Sequence, residues 1–282
     1  MISLAVGRYV VAVSGGVDSV VLLDMLSKQP NLELVVAHFD HGIREDSADD
    51  ALFVSELAKK YKVKFETQRE ELGTNASEDL ARTRRYKFLR SVAEKYDAEL
   101  ITAHHADDVI ETIAINVTRG TGWRGLAVLD SNIVRPLLDM TKNEILDYAK
   151  VQNLQWHEDS TNAGDAYLRN RIRRQTNNLD DDVKRQLLAL WATQKSLKQS
   201  INGEVEKLVG EGPTYSRYFF SHLDAMTGLE CVRFVTEARL TRPQAAKVLH
   251  EIKTIRAHKT YQAGNGVKFD FTSRNFTVEL IK

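Results

Sequence analysis

Five consecutive apolar residues, Tyr9 to Val13, run without a break into Ser14-Gly15-Gly16-Val17-Asp18-Ser19, and Val20, Val21, Leu22, Met25 and Leu26 follow at helical spacing. A strand that is apolar throughout is covered on both faces, as strands of parallel sheets are. The alternation then repeats. Leu34 to Ala37 reads as a strand, Ser47 to Tyr61 as a helix, Val63 to Thr67 as a short strand and Ser77 to Tyr96 as a long helix. Leu100 to Ala103 and a helix from Asp107 to Thr118 come next. Strands with helices between them predict an α/β fold in which a parallel sheet carries helices on both faces.

The second half reads differently. Arg119 to Asp130 holds three glycines and reads as a mobile loop, Ile133-Val134 as one more short strand, and Lys142 to Val151 as a helix. A polar, asparagine-rich stretch then continues to Asp182 and marks the hinge zone. Beyond it, helices are expected over Val183 to Lys198 and near 229–238 and 242–256, with a small β-ribbon around Gly264-Asn265-Gly266. The expected organisation is a larger domain over 1–182 and a smaller, mainly helical one over 183–282.

Lys plus Arg equals Asp plus Glu, 39 each, but the balance hides an asymmetry. Residues 1–182 hold 23 basic and 30 acidic side chains, net −7, and the remainder holds 16 and 9, net +7. A positive module joined to a negative one suits a polyanion held by one part and worked on by the other, although a composition shift also marks a plain domain boundary. The single cysteine, Cys231, excludes an internal disulfide, a four-cysteine metal site and CxxC redox chemistry. Its surroundings repeat apolar residues at helical spacing, so it reads as a core thiol. With no basic leader and no run of about 18 uncharged apolar residues, the chain reads as a soluble, uncleaved cytoplasmic protein that makes no use of a membrane.

Chemistry concentrates at the ends of the expected strands. In Ser14 to Ser19 two glycines and a helix start present backbone N–H groups, and Ser14 and Ser19 add hydroxyls, which together cradle phosphate. Asp18 inside that cradle is unfavourable unless it meets a cation, which assigns it to Mg²⁺. His38-Phe39-Asp40-His41 leaves the second strand at the carboxyl edge, where histidines pack beside a nucleotide or pair on a metal. In Ala81-Arg82-Thr83-Arg84-Arg85-Tyr86, Arg85 falls in the middle of the apolar stripe and calls for an anionic partner or a substrate phosphate, while Arg82 lies at the edge of the same face; a solvated basic helix would explain Lys87 and Arg90 but not Arg85. His104 and His105 precede Asp107, Asp108 and Glu111, a helix start suited to a divalent ion or an ammonium group. Arg169, Arg171, Arg173 and Arg174 put four arginines within six residues, enough to clamp a phosphate backbone, or else a solvated charge run.

These segments together resemble the tRNA(Ile)-lysidine synthetase family among the N-type ATP pyrophosphatases. The matching motifs are SGGVDS, HFDHGIR, ARTRRY, AHHADDVIET, RGTGWRGL, RPLL and DSTN through RNRIR, seven in order over residues 9 to 175. The resemblance implies an adenine nucleotide α-hydrolase-like sheet domain. It implies that the C2 oxygen of the wobble cytidine of a tRNA(Ile) with a CAU anticodon attacks the α-phosphate of ATP. Free L-lysine then displaces AMP. On this view Ser14, Gly15, Gly16, Val17, Ser19, His38, Arg119 and Gly120 surround the nucleotide, Asp18 holds Mg²⁺, and Asp108 and Glu111 take the lysine ammonium. His104 would sit by the reacting nucleotide, Arg82, Arg85 and Arg173 would contact phosphates or stabilise developing charge, and Arg169, Arg171, Arg173 and Arg174 would meet tRNA.

Two departures accompany the match. Val109 stands where the family usually has glutamine, removing one polar contact, and the length of 282 residues points to a compact type with one C-terminal domain. A homodimer is compatible with the sequence. A thiolase of the same superfamily would need more cysteines than one. Another adenylating ligase using a different amine, and a non-catalytic nucleotide-gated RNA-binding protein, are the alternatives.

Overall fold

The computed structural model describes residues 2–42, 47–73, 77–157 and 168–281. They form two compact units, divided between Lys195 and Ser196.

In the first unit, strands β1 (Gly7–Ala12), β2 (Leu32–Asp40), β3 (Lys64–Arg69) and β4 (Glu99–Ile101) form a parallel sheet in the order β3-β2-β1-β4. Val134 bridges Ile101 in parallel, so the expected strand at Ile133-Val134 is a single bridge that widens the β4 edge. Alternate side chains of β1 enter different cores, as the pleat requires. Tyr9 and Val11 join Val36 and Ile101 under α1 (Val17–Ser27), α2 (Ser47–Tyr61) and α5 (Lys142–Val151). Val10 joins Val35 and Ala37 under α3 (Glu78–Tyr96), whose Phe88, Leu89 and Val92 cover the other face. The expected helices on both faces are therefore present. A third cluster packs Val109 and Ile113 of α4 (Ala106–Thr118) against Val128 and Trp191.

Helix α1 starts directly after the first strand because Gly16 caps it in extended conformation while Gly15 turns the chain at φ 96°, in the left-handed region. Gln152 and Asn153 end α5 by ordinary turn bonds, and His157 then donates its backbone N–H to Gly15 O.

The polar hinge zone contains a helix that its composition hides, α6 (Leu168–Asn177), which turns Ile172 and Thr176 inward. Within Arg119 to Asp130, Trp123–Leu126 forms one 3₁₀ turn. Helix α7 (Asp181–Val209) begins near the expected start but runs eleven residues past Lys198, and the division between the units falls inside it.

The second unit packs the end of α7 with α8 (Arg217–His222), α9 (Ala225–Val235) and α10 (Arg242–Thr254) around an antiparallel sheet. That sheet, ordered β5-β8-β7-β6, comprises β5 (Thr214–Ser216), β6 (Thr260–Gly264), β7 (Val267–Phe271) and β8 (Asn275–Leu280). The expected ribbon at Gly264-Asn265-Gly266 is its β6–β7 hairpin, and the unit is mainly helical. Phe220, Phe269, Phe271 and Phe276 fill the centre. Cys231 is fully buried among them, and burial pushes its thiol up to about 11, an inert core residue as its spacing implied.

Candidate active site

Order β3-β2-β1-β4 reverses direction at β1, and ligands of open parallel sheets bind outside the carboxyl ends of strands at such a point. Ser14 to Ser19 leave β1 there, and His104 to Asp108 leave its neighbour β4. The loop is internally braced. Ser14 N–H donates to Ser19 Oγ at 3.2 Å, Gly16 N–H to Ser14 Oγ at 3.4 Å, and Ser19 Oγ–H to Gly16 O at 2.9 Å. Side-chain oxygens thus fix the loop while the helix start behind them offers positive potential to an anion.

Asp18 faces the second loop. Its Oδ2 lies 3.9 Å from His105 Nε2, and His105 is also 3.7 Å from Asp107 Oδ2 and 3.5 Å from Asp108 Oδ2. Burial would lower the His105 pKa, but these three carboxylates outweigh it and raise the value. His105 at its side, with the Lys142 backbone N–H and Lys184, holds Asp107 well below the usual carboxylate range. The expected acidic cluster therefore exists, with an imidazole at its centre.

His104 behaves oppositely. Burial pushes it down to about 4, against the pull of Asp108 and with help from Arg135, Arg82 and Arg85. Its Nδ1 lies 2.8 Å from Thr102 Oγ1. Arg82 and Arg85 are half-buried on α3 with their guanidinium groups over the Tyr86 ring at 4.9 and 5.5 Å, so the structure brings them into the field of His104. Arg84 is exposed and pairs with Glu70 at 3.5 Å. Arg135 donates to the Leu129 and Ile133 carbonyls and to Ser131 Oγ, closing the turn before the Ile101–Val134 bridge.

Glu111 is 2% exposed, one turn into α4, with Arg173 Nε 2.9 Å from its Oε2 and Arg173 Nη2 4.0 Å from Asp108 Oδ1. A guanidinium therefore occupies the place expected for an ammonium, and Arg173 meets carboxylates while its side chain stays 39% exposed. Arg171 and Arg174 are exposed on the same helix, and the side chain of Arg169 lies outside the described residues, as do 158–167 with the DSTN motif. His38 is buried, its Nδ1 2.9 Å from Val13 O at the root of the phosphate loop. Arg119 and Gly120 are exposed past the far end of α4, about 18 Å along the helix axis from Asp107. Val109 is fully buried against Trp191; the residue there faces the core, and the missing polar contact expected of it has no counterpart at the site.

The sequence reading missed Lys142 and Lys184. Lys142 Nζ lies 2.5 Å from Asp18 Oδ1 and Lys184 Nζ 3.3 Å from Asp107 Oδ1. Both open helices distant in sequence, and the available signal for Lys142 was the capping pattern Thr141-x-x-Glu144 that aims the start of α5. Missed as well is His157, stacked on Phe53 at 4.3 Å and paired with Asp50 at 2.7 Å.

Among the described residues, no group of three or more His, Cys, Asp or Glu can hold a metal alone. Mg²⁺ bound with a nucleotide needs only one or two carboxylates, the phosphates and water supplying the rest, and the 31% exposed Asp18 beside a phosphate cradle fits that donor set. Among the described residues, no helix is long and apolar enough to cross a membrane.

A family model described as the PP-loop domain matches residues 4–179. The chain is 42% identical over 170 residues to a tRNA(Ile)-lysidine synthase of Exiguobacterium sibiricum, covering 58% of this chain and 41% of that protein. It is 39% identical over 181 residues to one of Geobacter sulfurreducens, covering 59% and 38%. One of Thermotoga maritima is 32% identical over 268 residues, covering 87% and 64%. The chain thus spans between 38% and 64% of the length of these relatives. The solved structure of the U34-tRNA thiolase NcsA from Methanococcus maripaludis shares the fold, with a TM-score of 0.57 at 20% identity over 69% of this chain and 73% of that one. With the model match covering the whole sheet and the phosphate loop, the chain belongs to the PP-loop domain family, and the relatives it matches within that family are tRNA(Ile)-lysidine synthases.

Proposed function

We propose that the protein joins L-lysine to C2 of the wobble cytidine of a tRNA(Ile) with a CAU anticodon, using ATP and releasing AMP and pyrophosphate. The observation that carries this reading is the meeting, within 4 Å of His105, of the phosphate-loop Asp18 and the acidic start of α4. That meeting puts an anion cradle beside a cation site. The names borne by the relatives supply the substrates.

Two half-reactions divide among the residues. The cytidine O2 attacks the α-phosphorus and the bond to the β-phosphate oxygen breaks, leaving an adenylated base. The backbone of Gly15, Gly16 and Val17, with Ser14 and Ser19, grips the pyrophosphate portion. Asp18 would hold Mg²⁺, which would supply charge neutralisation for the phosphates. Arg82 and Arg85 stabilise charge developing on the phosphate, and the neutral His104 packs against the reacting nucleotide and excludes water. Asp108 and Glu111 orient the lysine ammonium, for which the Arg173 guanidinium now stands in. The ε-amine then attacks C2, AMP departs, and the amine loses its proton to give lysidine. The second unit holds the tRNA, and Arg171 and Arg174 of α6, in the first unit, are exposed to meet its phosphates.

The test is incubation with Mg-ATP, labelled lysine and a tRNA(Ile) transcript bearing CAU, followed by digestion and mass spectrometry. Lysine-modified cytidine that disappears without ATP and in Asp18→Asn is the expected result. A folded protein that binds ATP and tRNA yet incorporates no lysine would overturn the reading.

A further inference from the structure

The phosphate loop brings no cation of its own. From Val13 to Val20 the one ionisable side chain is Asp18, so no cationic side chain within the loop can meet the outer phosphates that its N–H groups and hydroxyls hold. The structure supplies a cation from elsewhere in the fold. Lys142 stands at the first position of α5, and its Nζ is 2.5 Å from Asp18 Oδ1.

That placement is held from three sides. Thr141 and Glu144 form a reciprocal capping box, Thr141 N–H donating to Glu144 Oε2 at 2.7 Å and Glu144 N–H to Thr141 Oγ1 at 3.3 Å. The Lys142 backbone N–H donates to Asp107 Oδ2 at 2.7 Å, tying the helix start to the loop after β4. Below it, Ile145 and Ala149 are fully buried in the same core as Val20 and Leu23 of α1. The backbone is fixed and the ammonium is free to swing on its four-carbon stem, since the side chains of Lys142 and Asp18 are 38% and 31% exposed.

We propose that Lys142 is the β- and γ-phosphate ligand of this site, resting on Asp18 while no nucleotide is bound and moving onto the pyrophosphate when Mg-ATP enters. The exchange conserves pairing. Asp18 gives up an ammonium and gains Mg²⁺, while Lys142 gives up a carboxylate and gains phosphate oxygens. An exposed ion pair adds little to folding, so structural need does not account for a lysine aimed at the one carboxylate of a phosphate loop. As the pyrophosphate leaves, the same ammonium opposes its growing charge. This assignment rests on the adenylating reaction proposed above.

The test is calorimetric titration of the full chain with α,β-methylene-ATP plus Mg²⁺, and separately with AMP, which has no outer phosphates. Lys142→Gln should weaken the ATP analogue by about 10- to 100-fold, the range for a lost charged hydrogen bond, and leave AMP within about twofold. Lys142→Arg should recover most of the loss. In turnover the Gln variant should lower the rate of pyrophosphate release while KM for lysine stays unchanged. Analogue binding unchanged in Lys142→Gln, or weakened equally with AMP, overturns the assignment. Wild-type protein that binds the analogue through Lys142 but forms no lysidine sinks the lysine chemistry and leaves Lys142 as the phosphate ligand.

Discussion

With its Nδ1 2.8 Å from Thr102 Oγ1 and its pKa pushed down to about 4 by burial, His104 is a neutral imidazole near neutral pH. A cation there would add to Arg82, Arg85 and Arg135, so neutrality is what the surrounding field favours. Nuclear magnetic resonance of the ring nitrogens should show His104 uncharged from pH 8 to pH 5, with no midpoint near the ordinary value of about 6.5. A midpoint at that ordinary value would contradict the burial argument. Asp24 is the structural counterpart. It is 5% exposed, and although burial alone would raise its pKa, hydrogen bonds from Lys28, Tyr148 and Tyr61 outweigh that and lower it. A depressed folded pKa means a contribution fully present above the unfolded value of about 3.9 and lost as pH falls through the lower folded one. Asp24→Asn should therefore cost about 1–3 kcal/mol at pH 7. It should also flatten the loss of stability below about pH 4, read by urea denaturation at pH 7 and pH 3.

Among elements, the turn from β1 into α1 depends on one backbone angle. Gly15 stands at φ 96°, and Phe53 Cδ1 lies 3.5 Å from where a Cβ would stand, an ordinary contact, so Gly15→Ala meets backbone strain rather than crowding. The expected cost is about 1–2 kcal/mol of stability, with a lowered melting temperature and weakened binding of α,β-methylene-ATP, because the cradle N–H groups turn with that residue. This turn was legible in the sequence because it is local: an apolar strand, two glycines and a periodic helix lie in one continuous stretch. Helix α6 was not, since between Leu168 and Asn177 only Leu168 and Ile172 are apolar, too few to stand out among arginines and asparagines. Strand β5, three residues long, exists through pairing with β8 rather than through its own sequence. The site divides the same way. Asp18, His104, Asp108 and Glu111 announce themselves near strand ends, whereas for Lys142 the capping pattern marks only the start of α5, and its meeting with Asp18, 124 positions away, is set by the packing of that helix. Arg217 shows a third case, in which three carbonyls, of Ile252, Ile255 and Thr272, are gathered by one side chain from segments far apart in the chain. Arg217→Lys keeps the charge but loses the fork, and should destabilise the protein by about 1–3 kcal/mol in chemical denaturation, an effect that a simple charge contribution would not produce.

At the scale of the molecule, a net charge of zero conceals −7 over residues 1–182 and +7 over the rest. If the proposed tRNA substrate is held by the positive portion, binding and chemistry should separate by mutation. On α10, Lys247, His250 and Lys253 recur every three residues and are exposed, while the apolar side of that helix, Val248, Leu249 and Ile252, is spent on the core. On α6, Arg171 is exposed in the same way. Each lysine or arginine that neutralises a phosphate releases a counterion, so log K for tRNA should fall linearly with log salt, and removing one contact should reduce the slope by about 1. Lys247→Ala, Lys253→Ala and Arg171→Ala, measured by filter binding from 50 to 200 mM salt, should each weaken binding and lower the slope, whereas Asp18→Asn should leave the slope where it was. A slope unchanged in the three basic variants would mean that the asymmetry marks only where one unit ends and the next begins. A slope reduced by the α10 variants but not by Arg171→Ala would put the tRNA grip in the second unit alone, leaving α6 to serve the acidic start of α4 through Arg173.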